Sequence, residues 1–235
     1  MDLVNLRITW DEFARRDVLW SIMSCPDKKD NRWEIDNFFK TGQNDIDFIL
    51  QEAEKRYPQF QRNKALDFGC GVGRMTIPLS KRFKETVGVD ISAQMIGKAK
   101  VFAKNVSGCS FVVNEEEDLC IFPEAYFDFI LSLIVLQHME RRYILNYIKE
   151  FLRLLKPVGL LVFQLPSQIE LKAGYQEFKP GMSPEAEMYG ISKEKMFDYI
   201  KLNKGEIVDC VKDNACGKEI NSLRYFVKKQ RSRSI

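Results

Sequence analysis

From Lys64 onward, short apolar runs alternate with stretches of helical period, and this alternation restricts the possible folds more than any other feature of the chain. The runs "KALDFG", "TVGVD", "SFVVN", "FDFILSL" and "GLLVFQLP" read as strands. The stretches "RMTIPLSKRF", "SAQMIGKAKVFAKN" and "RRYILNYIKEFLRLL" read as helices between most of them, with Ser92 placed to cap the second. Strands that are apolar on both faces and separated by helices build a parallel sheet covered on two sides. Between "SFVVN" and "FDFILSL" the sequence is mostly loop, with room for one short helix. After a helical "ISKEKMFDYIKLNKG", the runs "EIVDCVKD" and "LRYFVKK" add two strands that close one sheet edge. The expected fold is α/β: a three-layer α/β/α sandwich of about seven strands, mostly parallel, with an antiparallel edge hairpin.

Residues 1–63 read as an N-terminal helical cap and residues 64–235 as the main domain. In "WDEFARRDVLWSIMS", Trp10, Ala14, Val18 and Ile22 recur every four residues, so one helix is expected there. "QNDIDFILQEAEKRY" sets Ile46, Ile49, Leu50, Ala53 and Tyr57 on one helical face. The polar connector between them, "CPDKKDNRWEIDNFFKTG", carries Trp33, Phe38 and Phe39, aromatics suited to anchoring it or to covering a ligand. A second segment, residues 167–190, follows neither period and holds two prolines, three glycines and the tyrosines Tyr175 and Tyr189. Long loops after strand ends in such sheets are often functional, so this segment is read as a lid or acceptor-recognition insert.

Bulk properties exclude several classes. A hydrophobic share of 45% with 29% charged residues describes a soluble globular chain. No apolar run approaches the roughly 20 residues that span a bilayer, and the charged N-terminus is unlike a secretory signal. These features point to a cytoplasmic protein without a membrane partner. A net charge of +3 is too small to argue for nucleic acid, and the basic "KKQRSRSI" reads as a solvated tail. Six cysteines without a C-x-x-C pair or a nearby histidine argue against both a zinc site and a disulfide framework.

The chemistry concentrates in "KALDFGCGVGR", where Gly69, Gly71 and Gly73 follow a strand directly. A loop without side chains, free to take positive φ, lets a ligand approach the backbone. A dinucleotide fingerprint, G-x-G-x-x-G, would require glycine at position 74, which is Arg74. Asp67 precedes the glycines, where a carboxylate would repel a pyrophosphate but suit a cation. The next strand ends in Asp90, 21 residues beyond Gly69, where an acidic side chain can accept from both ribose hydroxyls of a nucleoside. Ile91 would then offer an apolar face to the base, and Glu116, Glu117 or Asp118 of "NEEEDL" could contact an exocyclic amine.

These residues resemble the class I S-adenosylmethionine-dependent methyltransferases, small-molecule type, across roughly residues 64–166. "LDFGCGVGR" is similar to the family's cofactor loop and "VGVDIS" to its ribose-binding strand end. "YFDFILSLIVLQHM" resembles the fourth-strand motif and "LRLLKPVGLLVF" the entry to the fifth strand, with Val158 where the family usually has glycine. The resemblance implies a Rossmann-like fold and S-adenosyl-L-methionine as cofactor, with S-adenosyl-L-homocysteine as product. It further implies that Gly69, Cys70 and Gly71 line the methionine half and that Asp67 helps hold the ammonium. Asp90 would bind the ribose, Ile91 would pack on the adenine, and Leu133 would lie beside the methionine moiety. Arg74 could pair with the cofactor carboxylate or simply face solvent, and Trp33 and Phe39 could close over the cofactor. Cys70 reads as a small filler, since nothing places a base beside it.

Methyl transfer from a sulfonium is an in-line displacement, so the protein mainly orients the acceptor, an effect that can supply roughly 7–11 kcal/mol. A base adds about 10²–10⁴-fold, and only where the acceptor is protonated. The single histidine, His138 in "LQHM", is open to three readings: base, acceptor positioning, or structural. Gln137 is a second acceptor contact. The expected reaction is methylation of an oxygen or nitrogen on a small metabolite or glycan-like acceptor. The alternatives are an RNA or protein methyltransferase, against which the acidic "NEEED" and the interleaving of basic with acidic residues argue, and a cofactor-binding regulatory subunit without activity.

Overall fold

A computed structural model describes residues 2–168, 188–215 and 220–230. Seven strands form one sheet in the order β3-β2-β1-β4-β5-β7-β6. They are β1 Lys64–Phe68, β2 Glu85–Asp90, β3 Cys109–Val113, β4 Phe127–Ser132, β5 Leu155–Gln168, β6 Gly205–Asp213 and β7 Asn221–Lys229. The pairs β1–β2, β1–β4, β2–β3 and β4–β5 are parallel, whereas β7 runs antiparallel between β5 and β6. The expected Rossmann-like α/β/α sandwich with its antiparallel edge hairpin is therefore the observed one. Strand order reverses between β1 and β4, and a crevice opens there at the carboxyl ends of the strands.

Seven helices accompany the sheet among the described residues: α1 Leu3–Arg16, α2 Val18–Ile22, α3 Ile35–Arg56, α4 Thr76–Ser80, α5 Ala93–Phe102, α6 Arg141–Leu154 and α7 Lys193–Leu202. α6 buries Tyr143, Ile144, Tyr147, Ile148 and Phe151 in one core together with Phe68, Ile130, Phe163 and the α7 residues Met196 and Ile200. On the opposite face, Ile46, Ile49, Leu50 and Ala53 of α3 pack with Leu79, Phe129, Leu131 and Val162. The helical stripe read over residues 43–57 is thus the buried face of α3. Ser92 caps α5 by accepting from Met95 N at 3.1 Å, the role its position suggests.

Three local differences have simple causes. The helix expected through "WDEFARRDVLWSIMS" breaks at Asp17 (φ −147°), whose carboxylate accepts from Trp20 N and starts α2 instead. The second half of the connector "CPDKKDNRWEIDNFFKTG" is not a connector but the opening of α3, which draws its stability from fully buried Phe38. "RMTIPLSKRF" yields only the five-residue α4. Gly42 of α3 explains how closely that helix docks on the glycine loop: a Cβ there would lie 2.0 Å from Arg74 O. Residues 169–187, with Tyr175 and most of the expected insert, lie outside the described residues. No helix among the described residues is long and apolar enough to cross a membrane.

Candidate active site

At the crevice lies a cavity of about 930 Å³, within the size range of small-molecule and cofactor sites. Its floor is the glycine loop after β1. Gly69, Gly71 and Gly73 all have positive φ (75°, 53° and 86°). The turn is fixed from below by β2, because Gly69 N and Cys70 N both donate to Val89 O, at 2.8 and 3.0 Å. Neighbouring side chains take the places a Cβ would fill: Val135 sits over Gly69 and Ile22 reaches Gly71.

Asp90, at the end of β2, lines the cavity. One carboxylate oxygen accepts from Gly71 N at 2.8 Å and the other from Ser92 N at 2.9 Å. Burial pushes this carboxyl up to about 6, opposed by the N–H groups of Ser92 and Gly71. A carboxylate offers about four lone-pair sites, so the bonds from Gly71 N and Ser92 N, with the Ile91 N–H also directed at the group, leave capacity for one or two more. That spare capacity fits the hydroxyls of a nucleoside ribose. Ile91 and Leu133 stand in the same lining and supply apolar wall.

The remaining sequence-derived candidates divide. Gly69, Cys70, Gly71, Arg74, Gln137 and His138 all line the cavity. Arg74 is almost fully buried; its Nη1 donates to Asp45 at 2.6 Å and to Thr41 at 3.2 Å, both on α3, while its Nε is buried without a partner. It ties α3 to the loop, so the solvent-facing reading falls. Cys70 is buried and its thiol is pushed up by burial and by the neighbouring carboxylates, as suits an inert filler.

Asp67 lies outside the lining, fully buried, with one oxygen accepting from Thr76 Oγ1 at 2.6 Å and Oδ1 without a partner. Burial pushes it up to about 6 as well, with Thr76 and Arg74 opposing. Glu116 and Glu117 are exposed and absent from the lining; Asn114, just before them, takes the place instead. Asn114 Nδ2 donates to the carbonyls of Glu116 and Asp118, so these acidic residues shape the wall through their backbone. Trp33 and Phe39 also miss the cavity. Trp33 meets Phe38 edge-on at 5.7 Å and Phe39 meets Phe102 at 5.2 Å, so both anchor the helical layer.

His138 ends a 3-10 turn, Leu136–His138, that follows β4. Its ring stands edge-on to Trp10 of α1 at 5.5 Å, with Gln137 Nε2 at 3.4 Å from its Nε2. The N-terminal helices roof the cavity through Leu6, Trp10, Phe13, Trp20 and Ile22, residues the sequence marked as core or left unassigned. α1 is tethered there: Asp11 accepts from Ser92 Oγ at 2.6 Å, next to Asp90. Among the described residues, five methionines (Met23, Met75, Met95, Met139 and Met188) also line the cavity, a clustering that no spacing rule reveals.

The fold is similar to that of solved S-adenosylmethionine-dependent methyltransferases. Magnesium protoporphyrin IX methyltransferase from Synechocystis PCC 6803, solved with bound S-adenosylhomocysteine, superposes with a TM-score of 0.68 over 97% of this chain and all of that one, at 16% identity. Residues 66–163 match the family described as "Methyltransferase domain", so the resemblance read from the glycine loop and the β2 end is borne out. Demethylmenaquinone methyltransferase of Staphylococcus carnosus is 34% identical over 140 residues, 57% of each chain. Ubiquinone biosynthesis O-methyltransferase of Bradyrhizobium diazoefficiens is 33% identical over 100 residues, 42% of this chain and 38% of that one. The chain thus spans about half the length of the curated relatives it matches.

Proposed function

We propose that this chain is a methyltransferase that uses S-adenosylmethionine and methylates an oxygen or nitrogen of a small apolar acceptor. The observation that carries this reading is the Asp90 carboxylate. It is held between Gly71 N and Ser92 N at the cavity edge, beside a bare glycine loop and the apolar Ile91. The family match over residues 66–163 and the names of the curated relatives support it. Bound S-adenosylmethionine would supply a methyl group on a sulfonium, a leaving group that needs no further activation.

The residues then have separable tasks. Asp90 accepts the ribose hydroxyls, Ile91 covers one face of the adenine, and Asn114 stands where an exocyclic amine could be read. Gly69, Cys70 and Gly71 admit the methionine half against the backbone, with Leu133 alongside. Arg74, which lines the cavity, would pair with the cofactor carboxylate, and Asp67 would carry the counter-charge for the ammonium from beneath the loop. Residues 1–63 act as a cap that excludes water and fixes the acceptor, and residues 167–190 act as its insert. His138 and Gln137 face the acceptor. His138, the chain's only imidazole, takes the acceptor proton at a ring nitrogen when one must leave.

The cavity walls favour an apolar acceptor over a polyhydroxylated one. Trp10, Phe13 and Trp20 line the cavity together with five methionines, and among the described residues the charged side chains in the lining are Lys29, Arg74 and Asp90. Flexible, polarisable methionine suits apolar ligands of varied shape, whereas a sugar needs several placed polar groups. Two curated relatives bear quinone-pathway names, which agrees with this choice. The test is transfer of radiolabelled methyl from S-adenosylmethionine to 2-naphthol, with methyl glucoside in parallel. Label in the naphthol ether alone supports the reading. Label in the glucoside, or in neither despite tight cofactor binding, removes the apolar-acceptor claim.

A further inference from the structure

The residue after the β4 segment that borders the cavity is in an unusual conformation. Ile134 has φ +60°, a left-handed backbone that a β-branched side chain rarely adopts. It lies between Leu133 and Val135, both of which line the cavity, and Val135 occupies the space above Gly69. Such a conformation persists only where the surroundings impose it, and it concentrates at functional sites.

The restraint is visible. Ile134 N donates to Gln164 Oε1 at 2.9 Å, and Gln164 Nε2 donates to Ser222 Oγ at 2.5 Å. Gln164 is fully buried in β5 and Ser222 nearly so in β7. A buried amide in a central strand has an apolar alternative that would pack as well, so its hydrogen bonds are the reason to look for a role. β7 is also the partner of β6, whose end leads to Asn214 and Ala215 in the cavity lining. Gln164 therefore joins the loop over the glycines to the edge hairpin.

We propose that Gln164, oriented by Ser222, is a positioning residue for the donor site: it holds Ile134 in the left-handed conformation that seats Val135 on Gly69. This rests on the donor-site reading above. Gln164 is not among the residues that line the cavity, and its effect on the site passes through the Leu133–Val135 backbone.

The test is a double-mutant cycle read as affinity for S-adenosylhomocysteine by calorimetry at 15 °C, with the melting temperature recorded for each protein. Gln164→Leu removes the acceptor for Ile134 N and is expected to weaken binding about tenfold or more. Ile134→Gly adopts positive φ without strain, so in that background the same Gln164→Leu change is expected to cost less than threefold. Ser222→Ala, a milder change that folds even where Gln164→Leu does not, is expected to weaken binding two- to fivefold, and not at all beside Ile134→Gly. A lower melting temperature with unchanged affinity in Gln164→Leu or Ser222→Ala overturns the proposal, as does an equal affinity loss in both backgrounds. Absence of binding by the wild type would instead remove the donor-site reading itself.

Discussion

The buried carboxylate beneath the glycine loop makes a pH prediction with a definite sign. Asp67 is fully buried, one oxygen has no partner, and its carboxyl is pushed up to about 6 from 3.8. In the unfolded chain it releases its proton near 3.8; in the folded apo protein it keeps it until about 6. The native state therefore binds more protons through that window, and this group's contribution to stability falls as pH rises across it. A displacement from 3.8 to about 6 corresponds to about 3 kcal/mol once both states are ionised, of which about 2 kcal/mol develops between pH 4.5 and 7.5. Asp67→Asn keeps an acceptor for Thr76 Oγ1 and removes the titration, so constant effects of the substitution cancel in a pH series. Urea unfolding of both proteins without ligand should show the wild type losing about 2 kcal/mol relative to Asp67→Asn from pH 4.5 to 7.5. The same variant should bind S-adenosylhomocysteine more weakly at pH 7.5, because the buried charge is retained for the ligand's ammonium. A difference that is flat with pH, or of opposite sign, refutes the reasoning.

Other expectations follow from the same geometry. Gly69→Ala places a Cβ 2.2 Å from Val135 Cγ2 at φ +75°, so conformational strain of about 1–2 kcal/mol adds to overpacking of about 1–3 kcal/mol. Urea denaturation should register the sum, and calorimetry a loss of S-adenosylhomocysteine binding. Asp45→Ala strands the Arg74 guanidinium, whose side chain is 6% exposed, but Asp45 itself is 44% exposed. The expected loss is about 1–2 kcal/mol, whereas Asp47→Ala at the exposed Arg82 pair should change stability by less than about 1 kcal/mol. With an ionisable phenol as acceptor, His138→Ala should lower kcat by about 10²–10⁴-fold and leave KM within a few-fold. A change confined to KM would make His138 a positioning group instead.

The sheet was legible because both of its signals are local. Doubly apolar runs such as "FDFILSL" mark buried strands, and Ser92 before "AQMIGKAK" marks a helix start. The glycine loop and Asp90 were legible for a related reason, since strand ends carry their ligands at fixed offsets from the glycines. The rest of the site is assembled from positions far apart in the chain. Trp10 reads as an amphipathic core residue until α1 is seen lying across the crevice with Asp11 on Ser92. Asn114 carries no signal of its own beside the acidic run that follows it, yet it lines the cavity while Glu116 and Glu117 are exposed. Trp33 and Phe39 looked like cover for a ligand because "CPDKKDNRWEIDNFFKTG" is polar overall, yet burial of Phe38 extends α3 back to Ile35 and points them into the helical layer. Gln164 had no signal at all, for a single polar residue in "GLLVFQLP" acquires meaning only from Ile134 and Ser222 beside it.

The central claim, that the crevice at the carboxyl ends of the strands, opening where strand order reverses between β1 and β4, binds the methyl donor through Asp90, is tested most directly by calorimetric titration with S-adenosylhomocysteine of wild type and Asp90→Ala. The account predicts a micromolar Kd for the wild type and at least tenfold weaker binding for the variant, a difference of about 1.4 kcal/mol or more. Absence of binding by the wild type at millimolar ligand, or equal affinity of the two proteins, would contradict it.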